Sequence, residues 1–249
     1  KQFINDKLKL THPCIIGADF EHLNDKYDAF ICGSDQIWAP TCFDSKYFLD
    51  FVHDTRRIVA YAPSIGLNSV GDKYVKKRMA ELIGRFEHLS VREQRGAELI
   101  QELCGKKAAV VLDPTMLLNA EDWNRLVPAV CEKTAGKPYI LCYFLGVNEK
   151  HWYRVRQISD ELGISVKVLP IFIKDLKRGF DVAHGVGPVE FLDPVRNAAF
   201  VCTDSFHGTV FSLLFHKPFQ VFERFKHDDP RSQNSRVYNL LNMTGTQWF

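Results

Sequence analysis

Short apolar runs of strand length alternate with longer amphipathic stretches along the chain, and this rhythm limits its possible folds more than any other feature. The runs are Ala29–Cys32, Ile58–Tyr61, Leu89–Val91, Ala109–Leu112, Tyr139–Phe144, Val166–Leu169, Phe200–Cys202 and Phe219–Phe222. The helix-like stretches between them are Lys73–Arg85, Glu93–Leu103, Glu121–Val130, Glu149–Leu162, Val189–Asn197, Phe206–Phe215 and Ser235–Asn242. Gly105 and Gly163 stand where helices commonly end. Alternation of this kind predicts βαβ units feeding mostly parallel sheets, an α/β protein. Lys174–Pro188 has three glycines and no period, so a loop is expected there, its tip placed to cover a cleft.

At 249 residues the chain accommodates two modest domains, and Met116–Trp123 followed by the polar Glu132–Pro138 is the place to divide them, giving lobes 1–118 and 119–249. The 32 basic and 30 acidic residues leave a net charge of +2, too little for a global field that would attract nucleic acid or anionic lipid. Any anion site must be local. No apolar run approaches the roughly 20 residues of a membrane helix, and no signal-peptide pattern opens the sequence, so the expected compartment is the cytoplasm. The seven cysteines (Cys14, Cys32, Cys42, Cys104, Cys131, Cys142, Cys202) form no C-x-x-C pair; Cys32, Cys142 and Cys202 sit in apolar runs and are expected as buried thiols. His12, His22, His53, His88, His151, His184 and His216 lack metal-ligand spacing, and no metal is expected.

The strongest local signal is Val201–Phe215, where a buried strand passes through Thr203, Asp204 and Ser205 into an apolar helix. Each of the three can cap that helix, whose positive dipole end would face the carboxyl edge of the sheet and seat a phosphate or carboxylate. His207, in the first turn, either donates to an anion and passes a proton or hydrogen-bonds a neighbouring loop; spacing does not decide between these. Asp204 either orients His207 or is a simple cap. Gly33, Ser34 and Asp35 follow the first strand, and either line a ligand cleft or begin an ordinary capped helix. Arg92 and Arg95 open a helix after a strand; Arg95 is expected at the surface. Asp113-Pro114 reads as a turn, and Lys226-His-Asp-Asp229 as a solvated loop.

Thr203-Asp-Ser-Phe-His-Gly-Thr-Val-Phe-Ser212 resembles the C-terminal signature of the polysaccharide pyruvyl transferases. Tyr27-Asp-Ala-Phe-Ile-Cys-Gly-Ser-Asp-Gln-Ile-Trp38, Leu89-Ser-Val-Arg-Glu-Gln-Arg-Gly96 with Val111-Leu-Asp-Pro-Thr115, and Ser232-Gln-Asn-Ser-Arg236 are similar to that family in the same order, so the resemblance spans residues 27 to 242. It implies two Rossmann-like lobes facing a cleft, as in B-type glycosyltransferases, with an additional first βα unit ahead of the region seen here. It further implies phosphoenolpyruvate as donor substrate, no cofactor, and a sugar or lipid-linked glycan acceptor from a cell-surface or capsular polysaccharide pathway.

Carried onto this sequence, the resemblance makes His207 and Asp204 the catalytic candidates and Arg92, Ser205, His207 and Gly208 the donor-binding ones. Gly33, Ser34 and Asp35 fall on the acceptor side, and Arg236 is a further candidate for an anion. Many relatives carry Arg two residues before the His, where this chain has Ser205. Two other readings stand beside pyruvyl transfer: a nucleotide-sugar glycosyltransferase of the same architecture, with Glu190 as the carboxylate for the ribose, and a non-catalytic domain that binds glycan or a partner protein.

Overall fold

The computed structural model describes residues 2–10, 19–127, 137–226, 228, 229 and 231–246. Cys14, Cys131, His12, His227, residues 128–130 and most of the 132–138 stretch lie outside the described residues. The chain divides into two compact units, one of Lys9–Leu117 with Phe225–Phe249, the other of Lys1–Leu8 with Leu118–Arg224. A single cut at 118/119 therefore misplaces both ends, because residues from Phe225 onward pack with the first sheet's unit and the opening helix α1 (Gln2–Lys7) with the second.

The first unit holds β1 (Phe30–Cys32), β2 (Ile58–Ala60), β3 (His88–Val91) and β4 (Ala109–Val110), all parallel and in chain order. α2 (Lys73–Ile83) starts at Asp72, whose carboxylate accepts from Val75 N, and buries Met79, Leu82 and Ile83. α3 (Gln94–Cys104) ends on Gly105 at φ +71°. Trp38 and Phe48 stack with ring centroids 5.0 Å apart, and Phe86 meets Trp38 edge-on at 5.6 Å, forming the aromatic heart of this unit's core. α8 (Asn234–Met243) buries Val237, Leu240 and Leu241.

The second unit is a five-stranded parallel sheet in the order β7-β6-β5-β8-β9, made of β5 (Tyr139–Tyr143), β6 (Ser165–Val168), β7 (Asp181–Val182), β8 (Phe200–Thr203) and β9 (Phe219–Val221). Its middle strand β5 is buried along Tyr139–Cys142, which is why it reads as a continuous apolar run. Besides α4 (Ala120–Asn124), the unit carries α5 (Glu149–Leu162), which starts on Asn148 accepting from Lys150 N, ends on Gly163 at φ +64°, and buries His151, Trp152, Val155 and Ile158. α6 (Leu192–Asn197) and α7 (Phe206–Leu214) complete it.

The expected class, α/β with two Rossmann-like lobes of mostly parallel sheet, is the class observed. Two elements differ from expectation. Lys174–Pro188 is not one loop: a 3-10 turn spans Ile173–Lys177 and the edge strand β7 follows, its two residues too short and mixed in polarity to register as an apolar run. The stretch from Val189 becomes helical at Leu192. Among the described residues no helix is long and apolar enough to cross a membrane.

Candidate active site

In the first unit, the carboxyl edge of the sheet gathers a buried ionic cluster. The chain leaving β1 passes so close to β2 that a Cβ on Gly33 would sit 1.8 Å from Tyr61 O, and Gly33 adopts φ +134°, a conformation open to glycine. Asp35 and Ala62 both take φ +56°, left-handed values that non-glycine residues adopt at some cost and that gather at functional sites. Ser34 Oγ lies 3.0 Å from Ala62 O and 3.1 Å from Asp113 Oδ2, both acceptors, so its single proton is shared.

Arg92, at the end of β3, ties this loop together. Its Nη1 donates to Asp113 Oδ2 at 2.6 Å and its Nη2 to Asp35 Oδ1 at 2.7 Å. The Arg92 and Asp113 side chains are 1% and 2% exposed, whereas that of Asp35 is 63% exposed, so a buried guanidinium orients an accessible carboxylate. Burial alone would raise the Asp113 pKa; hydrogen bonds from Thr115 N and Oγ1, with the adjacent Arg92 charge, outweigh it and hold the carboxyl below its usual range. A residue before proline disfavours helical geometry, and what reads in sequence as a turn is also the buried counter-ion of Arg92.

Glu93 occupies the N-cap position of α3 without capping it. Its Oε1 accepts instead from Ser64 Oγ at 2.9 Å, Ile65 N at 3.0 Å and Gly66 N at 3.2 Å, while Oε2 lies 3.8 Å from Arg92 Nε. Asn239 of α8 donates to Arg92 O at 3.2 Å and accepts from Gln94 N at 3.2 Å, which fixes the β3–α3 turn from the other side. Sequence reasoning put Arg92 on the donor side and Asp35 on the acceptor side; the structure joins the two in one ion pair. It passed over Asp113 and Glu93, whose signal was a pair of carboxylates at strand ends flanking one Arg.

In the second unit, Thr203, Asp204 and Ser205 each do a different task. Ser205 is the cap of α7: its Oγ accepts from Gly208 N at 3.2 Å. Thr203 Oγ1 donates to Tyr143 O at 2.7 Å and accepts from Ser205 N at 3.0 Å, joining β8 to β5. The buried Asp204 carboxylate accepts from Leu145 N at 2.7 Å and Gly146 N at 2.8 Å, bracing the loop after β5 against the tip of α7. Arg224 Nη2 donates to Asp204 O at 2.9 Å and lies 3.7 Å from Oδ1.

His207 stands half-buried in the first turn of α7, its ring edge-on to Phe206 at 5.4 Å. Gly208 lets the helix start close to the strand, since a Cβ there would meet Thr203 Oγ1 at 2.4 Å. A second imidazole near the braced loop belongs to His151, with Nε2 3.1 Å from Asn148 Nδ2 and its ring against Phe144 and Phe222. Burial pushes its pKa below the usual histidine value, against the opposing pull of the Asp204 charge and the Glu223 backbone. The final helix begins at Asn234, one residue ahead of the expected Ser235, so that Asn234 and Arg236 lie in its first turn; Asn234 Nδ2 donates to Phe225 O at 2.9 Å and the buried Arg236 donates to Gln233 Oε1 at 2.8 Å. Arg95 pairs with Glu98 and Glu102 along α3.

No curated protein matches the chain by sequence. By structure it is similar to the UDP-GlcNAc 2-epimerase of Neisseria meningitidis, solved bound to UDP-GlcNAc, at 9% identity and a TM-score of 0.51, over 90% of this chain and 70% of that one. It also matches the E. coli heptosyltransferase WaaC with ADP-2-deoxy-2-fluoro heptose, at 14% identity and a TM-score of 0.42, over 88% of this chain and 72% of that one. The first likeness is one of fold. Family is decided by sequence: the polysaccharide pyruvyl transferase model matches residues 2–224, covering β1 through β9 and the β8–α7 turn that carries His207, so the chain belongs to the polysaccharide pyruvyl transferase family.

Proposed function

We propose that this protein transfers a pyruvyl group from phosphoenolpyruvate to a pair of hydroxyls on a sugar of a cell-surface or capsular polysaccharide precursor, closing a ketal and releasing phosphate. The observation that carries the reading is the start of α7, where a capped and closely packed helix N-terminus puts His207 at the carboxyl edge of a parallel sheet. Such a terminus favours the phosphate and carboxylate of the donor. In this reading Ser205, His207 and Gly208 hold the donor.

The chemistry asks for one acid and one base. Protonation of the methylene carbon of phosphoenolpyruvate leaves an oxocarbenium-like C2, which a sugar hydroxyl attacks as it gives up its proton. Departure of phosphate and attack by the second hydroxyl, with loss of its proton, complete the ketal. His207 is proposed as the acid. Asp204 acts by fixing the loop beside it, in keeping with its two backbone N–H partners. Gly33, Ser34 and Asp35 are proposed on the acceptor side, where Asp35 offers an exposed carboxylate whose direction Arg92 sets.

The test is phosphate release from phosphoenolpyruvate in the presence of lipid-linked and nucleotide-linked sugars, with mass analysis of the product. Acceptor-dependent release and a pyruvylated sugar are expected. His207→Ala is expected to lose turnover by at least about a hundredfold, the usual scale of general acid catalysis, with an unchanged circular dichroism spectrum. Ordinary activity in that variant would remove His207 from the mechanism.

A further inference from the structure

A cavity of about 480 Å³ opens at the carboxyl ends of β5 and β6, inside the second unit. Tyr143 and Phe191 form one corner of it, their ring centroids 5.1 Å apart and their planes at 62°. Leu169, Pro170 and Ile171 form a second wall, and the segment from Ala183 to Pro188, including Gly185 and Gly187, a third. No Asp, Glu, Lys or Arg is among these lining residues, and their polar side-chain groups are the Tyr143 hydroxyl and the His184 imidazole.

This lining selects among ligands. Phosphoenolpyruvate carries two anionic groups and would meet no Lys or Arg here. A sugar ring would use the two polar side-chain groups and the segment's backbone for its several hydroxyls but has no flat faces to match the aromatic and aliphatic walls. A planar, uncharged heterocycle fits: aromatic and aliphatic walls for its faces, and backbone groups of the glycine-bearing segment for its edge. Just beyond the lining lies a carboxylate, because a Cβ on Gly187 would fall 2.6 Å from Glu190 Oε2. Carboxylates at the carboxyl edge of parallel sheets recognise the vicinal hydroxyls of ribose.

We infer that the cavity is a nucleoside pocket, with the base between the Tyr143–Phe191 corner and the 183–188 segment and the ribose hydroxyls at Glu190, so that the acceptor sugar arrives attached to a nucleotide. The last step rests on the pyruvyl-transfer reading; the pocket itself does not. A polyprenyl carrier, whose chain is far longer than the cavity, is the competing occupant.

Uridine and adenosine, which lack phosphate and so do not report on the α7 tip, serve as probes in calorimetric titrations of the full chain at millimolar concentration. At least one is expected to bind. Ala183→Trp, which fills the cavity, is expected to abolish binding. The exposed Glu190→Gln, which keeps the test decisive should the tryptophan variant fail to fold, is expected to weaken it by about three- to tenfold, and to leave binding of the 2′,3′-dideoxynucleoside unchanged. No binding of either nucleoside, full binding in both variants, or occupation by a short prenyl alcohol in their place overturns the inference. Pyruvyl transfer to lipid-linked sugars without nucleoside binding would sink the pocket and spare the transferase reading. Nucleoside binding without phosphate release from phosphoenolpyruvate would do the reverse.

Discussion

Arg92→Met is the substitution that most directly tests the ionic cluster of the first unit. Methionine preserves the packing of the stem and removes the charge that faces Asp113, Asp35 and Glu93. The exposed Asp35 contact is worth about 1 kcal/mol or less, so nearly all of the effect comes from the buried carboxylate left behind. Breaking one partner of a buried ion pair costs about 3–5 kcal/mol, and Asp113 keeps its Thr115 hydrogen bonds, which points to the lower part of that range. The pH dependence provides a second check. In the native chain the depressed Asp113 pKa contributes stability above the unfolded value near 4, and that contribution fades as pH falls through the folded value. Without Arg92 the contribution shrinks, so wild type and variant are expected to differ most at about pH 7 and to converge only as pH falls below about 4, through the depressed folded value. Urea unfolding followed by circular dichroism at neutral pH and in acid below that value measures this, and adding Asp113→Asn to the variant is expected to recover part of the loss. A deficit under about 1 kcal/mol at pH 7, or one equally large in acid, would refute the idea that Arg92 is anchored chiefly by Asp113.

Gly33→Ala places a methyl 1.8 Å from Tyr61 O at a φ of +134°, and a loss of about 3 kcal/mol or more in urea midpoint analysis is expected; native-like stability would mean that the β1 loop is not so tightly held. Asp204→Asn keeps one acceptor for the Leu145 and Gly146 amides and turns an amide donor toward the other, a change of about 2–3 kcal/mol, read by hydrogen exchange as faster opening at those two amides. Under native conditions an alkylating reagent is expected to label the exposed Cys42 and to spare Cys32, whose thiol burial pushes up to about 12, along with Cys142 and Cys202; rapid labelling of Cys142 by peptide mass mapping would contradict its place in the core.

Much of this molecule could be read from its residues where local punctuation agrees with burial. α5 runs from Glu149 to Leu162 as expected because Asn148 and Gly163 mark its ends and its buried positions repeat at helical spacing. The capping trio before α7 was legible as a group, but which member caps was not: Asp204 has the better anion for a cap, yet its carboxylate goes to two amides nearly sixty positions away in sequence. The same kind of distance hid Asp113, since a Pro-stiffened turn and a buried counter-ion look alike until β3 and β4 are laid side by side. The return of α8 to the first unit rests on side-chain fit around Asn239 and the β3–α3 turn, which no local pattern announces.

The burial of α7 has an implication for how such a protein can diversify. Phe206, Gly208, Thr209, Val210, Phe211 and Ser212 are enclosed, with the hydroxyls of Thr209 and Ser212 satisfied on carbonyls of the helix itself, so close packing holds this rod in place. Whatever meets its leading end encounters a fixed post. New ligand preferences would have to come from the opening-turn side chains and the surrounding loops, while the helix itself stays where the sheet holds it.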